Sequence, residues 1–68
     1  MARELLNVGD RLTRVGGWKV GNPVLGISID QLPGPMGFYL VAVVRFEDDR
    51  ADLLIPLHMA DSFEALNP

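Results

Sequence analysis

Apolar and polar residues alternate with a period of two through most of the chain, and glycine and proline interrupt the alternation at short intervals. That pattern predicts short strands rather than helices. The first alternating stretch follows Gly9 and gives a strand over 11–15 (Arg11-Leu12-Thr13-Arg14-Val15). Gly16-Gly17 ends it, because glycine admits positive φ without steric penalty. Residues 18–21 form a connector, and Asn22-Pro23 signals a turn. The second strand covers 24–30, with Leu25, Ile27 and Ile29 on one face and Gly26, Ser28 and Asp30 on the other. Gly26 marks a bend or a close backbone approach. Residues 31–37 hold two prolines and two glycines, the strongest breaker in the chain, and predict a loop.

Residues 38–46 form the best-defined strand, because nearly every position is β-branched, aromatic or aliphatic. Phe38, Leu40, Ala42, Val44 and Phe46 share one face, and Tyr39, Val41, Val43 and Arg45 share the other. A strand covered on one side only should present polar residues on its outer side. This strand does not, so its second face is expected to be covered as well. A polar hairpin turn at 47–50 leads to a fourth strand over 51–57, in which Pro56 demands an edge or exit position. A single helical turn over 58–62 and a closing strand over 63–66 complete the chain. A helix over 58–66, with Met59, Phe63 and Leu66 on one side, competes with this assignment; the turn followed by a strand is preferred. The fold class is therefore all-β: an SH3-like five-stranded barrel with one short helical turn before the last strand. It forms one domain over 1–68, with residues 1–7 expected as a flexible or partner-contacting arm.

Size changes what this barrel must do. A chain of 68 residues buries little more than about 60% of the surface it exposes when unfolded, so its core alone is marginal. There is no cysteine to supply a disulfide, and one histidine makes a dedicated metal cage improbable. Yet 49% of the residues are apolar, which points to self-association as the remaining support. Charge is unevenly placed. Residues 1–20 carry Arg3, Arg11, Arg14 and Lys19 against Glu4 and Asp10, whereas residues 47–68 carry six carboxylates against Arg50 alone. The total of −3 offers no basic footprint, which disfavours nucleic acid. The longest apolar run, 38–44, is far short of the ~20 residues that span a bilayer. A soluble, cytoplasmic protein with no membrane partner is expected.

The sequence Gly9-Asp10-Arg11-Leu12, the Gly-Gly-Trp segment at 16–18, the Pro/Gly loop and Ile55-Pro56-Leu57 before a short closing segment resemble the small SH3-like barrels. Their spacing is most similar to that of the plasmid-borne type II dihydrofolate reductases, over roughly residues 8–67. The resemblance implies a homotetramer with one active site in a central pore, NADPH as cofactor, and a pore lined by a Gln-Ile-Tyr triplet and a lysine. Aligned on Pro56, the triplet falls on Leu53, Leu54 and Ile55, so neither the glutamine nor the tyrosine is present. Arg14 is the cation nearest to the family's lysine.

Candidate chemistry is sparse. His58 and Asp61 share a face only if their segment is helical, and no third or fourth ligand stands at metal-site spacing. Asp48, Asp49 and Asp52 lack the ordered alternation of a calcium loop and read as a charged hairpin tip. The glycines do not form a phosphate-cradling loop before a helix. Trp18 either caps the barrel or serves as a contact for a ligand or partner, and Leu54 is a second such contact. Tyr39, Val41, Val43 and Arg45 are the expected interface. The sequence thus predicts a non-catalytic, self-associating interaction or assembly module that needs no cofactor and whose partner is itself or a larger protein. The alternative is an enzyme of the type II reductase kind, with an NADPH-dependent pore formed by oligomerisation.

Overall fold

The alternating segments all become strands in the computed structural model, which describes residues 6–66: β1 (Arg11–Gly16), β2 (Val24–Gly34), β3 (Gly37–Phe46), β4 (Leu53–Pro56) and β5 (Ser62–Ala65). They form one antiparallel sheet in the order β4-β3-β2-β1-β5. A single 3-10 turn, Leu57–Met59, lies between β4 and β5. The fold is all-β, as the alternation requires, and the competing helix over 58–66 does not form. Residues 1–5 of the expected N-terminal arm lie outside the described residues, while Leu6 packs against the core. No described helix is long and apolar enough to cross a membrane.

One core joins the two ends of the sheet. Leu12 and Val15 of β1, Ile27 and Ile29 of β2, Ala42 and Val44 of β3 and Ile55 of β4 form a single buried cluster, and Phe63 of β5 packs against it. The edge strands therefore share one interior, so the sheet must curl around it. Among the described residues no polar or charged side chain is buried. The interior is held by burial alone, at about 1.5–3 kcal/mol for each fully buried large aliphatic side chain.

Two bulges change which residues face this core. Val24 lies opposite Phe46 but Gly26 lies opposite Arg45, so Leu25 has no partner on β3. The extra residue rotates the strand, and Leu25 is 62% exposed instead of joining Ile27 and Ile29 on the inner face. The second bulge, between Leu12 and Arg14 on β1, lets Leu12 and Val15 both point inward at a spacing of three. β1 then closes onto β5. Arg14 lies opposite Glu64, with Nε 3.2 Å from Oε2, and the Thr13 hydroxyl donates to the Glu64 carbonyl at 3.3 Å. Gly16 ends β1 where a side chain would overlap the Ser62 hydroxyl, and Gly17 turns the chain with φ +86°.

The expected loop over 31–37 is not a loop. β2 and β3 continue as a hairpin down to the pair Gly34–Gly37, with Pro35 and Met36 alone in the turn. The prolines are tolerated for separate reasons. Pro35 sits at a turn position that its fixed φ suits. Pro33 lacks an N–H, so its pairing with Phe38 must be a non-hydrogen-bonded one, with the ring directed to the other edge of β2. β1 does not reach that edge, since it pairs with β2 only at Ile27 and Ser28.

Candidate functional site

The hairpin outruns the core beneath it. Phe38, Leu40, Ala42, Val44 and Phe46 lie on the inner face of β3 as the period predicts, yet only Ala42 and Val44 are fully buried. Phe38 is 69% exposed and Met36, at the turn, is 97% exposed. The physical reason is length: β2 and β3 have eleven and ten residues, and β4, the neighbour on one side, has four. The distal half of the hairpin has nothing to lean on.

Beside this tip lies an apolar cleft of about 380 Å³, lined by Pro35, Met36, Phe38, Tyr39, Pro56 and His58 together with Gly34 and Gly37. β3 supplies Tyr39, the end of β4 supplies Pro56, and the 3-10 turn supplies His58. The Tyr39 and His58 rings meet edge to face, with centroids 6.4 Å apart and planes at 72°. The contact suits the aromatic quadrupole, which favours such tilted pairs over a flat sandwich.

The residues expected to form an interface separate into two groups. Tyr39, Val43 and Arg45 keep exposed surface on the outer face of β3, and Leu54, 47% exposed, adds to that face from β4. Val41 does not: it is 1% exposed within a single chain. Its cross-strand neighbours are Asp30 and Pro56, with Tyr39 and Val43 on either side along the strand, so the protomer itself covers it. Trp18 stands apart from this surface. Its indole Nε1 donates to the Met59 carbonyl at 3.4 Å, which ties the connector after β1 to the 3-10 turn.

Little here supports acid–base or metal chemistry. Among the described residues no three His, Asp or Glu side chains cluster as metal ligands. Asp48 is held below the usual aspartate range by hydrogen bonds from the Arg50 side chain and backbone. The positions where the reductase triplet would fall carry no polar side-chain atom, and Ile55 among them is fully buried in the core. Arg14, the cation nearest to where the lysine would fall, is engaged by Glu64.

Sequence reasoning named Tyr39 and Leu54 but missed Met36, Phe38 and the Pro56–His58 wall. The available signal was Met36, an apolar residue in what read as a turn. Comparison with protein families, with curated proteins and with solved structures finds no significant match. The functional reading therefore rests on the site itself.

Proposed function

We propose that the chain is a non-catalytic interaction module that assembles with copies of itself through the β2–β3 hairpin tip and the adjoining outer face of β3 and β4. The observation that carries this is the set of exposed large apolar side chains there: Met36, Phe38 and Tyr39 line one apolar cleft, and Leu54 is exposed on the adjoining β4. Contiguous apolar surface on a small domain marks an interaction site, since its exposure otherwise costs free energy and solubility. Tyrosine, phenylalanine and methionine are also the types enriched at interface centres. Arg45 and the polar loop 47–52 then form the rim.

Light scattering coupled to size-exclusion chromatography at micromolar concentration tests the proposal. The expected mass is a whole multiple of the 7.5 kDa chain. A folded 7.5 kDa species persisting at tens of micromolar overturns self-association.

A further inference from the structure

At the opposite end of β3 from Tyr39, the outer face of β1, β2 and β3 holds a second cleft, about 100 Å³ in volume, lined by Arg11, Leu25, Gly26, Ser28 and Arg45. The register explains how two cations come to share it. Arg11 lies opposite Ser28 on one side of β2, and Arg45 lies opposite Gly26 on the other. Their backbones are two strand spacings apart across the sheet and offset by two residues along it, about 12 Å in all, a gap that two long side chains can close on a single group held over the small residues between them. Gly26 leaves the floor open, because a Cβ there would meet nothing within 4 Å.

We propose that this cleft binds a small dianionic oxyanion, of the phosphate or phosphomonoester class. Four arginines lie among the described residues, and two are already committed: Arg14 to Glu64 and Arg50 to Asp48. Arg11 and Arg45 have no acidic partner among the described residues, although the chain as a whole is acidic. No described carboxylate near them in sequence or register pairs with either, Glu47, two residues from Arg45, included. Asp10 accepts the Asn7 N–H at 2.9 Å, and Asp30 accepts the Gln31 N–H at 2.8 Å. Guanidinium forks bind phosphate oxygens in bidentate fashion, and two of them match a dianion better than a single carboxylate. The Ser28 hydroxyl adds a neutral donor. Leu25, turned outward by the bulge, offers an apolar wall for the carbon portion of an ester. Two isolated cations are too few for a nucleic-acid track, which needs a stripe of them.

The test is an NMR titration of the intact protein with inorganic phosphate, and separately with phenyl phosphate, at ionic strength held constant with sodium chloride. Saturable amide shifts at Leu25, Gly26 and Ser28 are expected. Arg11→Gln and Arg45→Gln should each weaken binding about tenfold, equivalent to about 1.4 kcal/mol. Arg14→Gln, whose guanidinium is already paired, should leave it unchanged. Equal affinity for the two probes assigns inorganic phosphate as the ligand; tighter binding of phenyl phosphate with added shifts at the Leu25 methyls assigns a monoester. Shifts that do not saturate, or an Arg14→Gln variant that weakens binding as much as the other two, overturn the proposal. Arg45 also borders the proposed assembly face, so the titration is repeated on the variant carrying Met36→Ser and Phe38→Ser, whose substitutions lie at the far end of the hairpin; the same saturable shifts are expected there, and their loss overturns the proposal.

Discussion

The Tyr39 ring lies across Gly34 on the neighbouring strand: a Cβ built on Gly34 would come 3.0 Å from Tyr39 Cδ1. The two residues are thereby coupled across the hairpin, and the glycine is what lets the ring close one wall of the apolar cleft. Gly34 does not adopt positive φ, so the backbone itself would accept alanine. Gly34→Ala should therefore displace the ring at a cost of about 1 kcal/mol, the low end for overpacking because Tyr39 has an exposed side to move into. In a Tyr39→Ala background the same substitution should be neutral or stabilising, by about 0.4–1 kcal/mol from the stiffer unfolded chain. Urea denaturation of the four proteins in the cycle measures the difference; equal effects of Gly34→Ala in both backgrounds would show that the ring contact is unimportant.

Val41 and Leu54 should respond differently to protein concentration. Val41 is buried within one chain, so Val41→Ala removes two methyl groups from a packed site and costs about 2 kcal/mol at every concentration. Leu54 is half exposed in one chain and buried only if copies meet on that face. Leu54→Ala should thus lower the unfolding midpoint at high concentration and leave it unchanged in dilute solution.

Charge on the proposed contact should separate assembly from folding. Leu54→Glu, and independently Met36→Ser combined with Phe38→Ser, should reduce the mass in solution to 7.5 kDa while the far-ultraviolet circular dichroism is retained. All three side chains are exposed in the protomer, so folding alone does not require them. An unchanged elution volume for both variants would place the contact elsewhere.

Arg50 should matter more than a solvent-facing cation normally does. Its guanidinium lies 4.5 Å from the centroid of the Phe46 ring and donates from Nη2 to the Asn22 carbonyl at 2.9 Å. It also holds both oxygens of Asp48, at 3.1 and 2.7 Å. Arg50→Gln should cost about 1 kcal/mol, mostly from the cation–π contact because exposed ion pairs contribute little. For a domain of this size that is a fall of about 4–8 °C in Tm.

The same pair gives a signed pH dependence. Asp48 has its pKa depressed in the folded chain, first by the Arg50 side-chain hydrogen bonds. Its contribution is complete above the unfolded aspartate value near pH 4 and disappears as pH falls through the lower folded value. Unfolding midpoints followed from about pH 5 to about pH 2 should decline less steeply in Arg50→Gln than in the parent.

How legible each part was depends on whether a local rule decided it. The strand over 38–46 followed from period and β-branching, and it lies within β3, whose Ala42 and Val44 enter the core as the period predicts. Leu25 was misplaced because a bulge is a relation between two strands: nothing within 24–30 says that Val24 and Gly26 will oppose Phe46 and Arg45. The breaker at 31–37 was misread for the converse reason. Its prolines forbid hydrogen bonds only toward a neighbour, and pairing decides whether a neighbour is there.

The sequence by itself determined an all-β chain of five strands, one short helical turn before the last, and an excess of apolar residues. Those properties come from side-chain alternation and composition, which act locally and add along the chain. Tertiary structure alone decided where the excess emerges. Val41 is buried where β3 is paired on both sides, opposite Pro56 and Asp30, while Met36 and Phe38 were left standing in solvent because the hairpin runs past its four-residue neighbour. Exposure is set by the distance to the nearest packed element, and that distance exists only once the strands have paired.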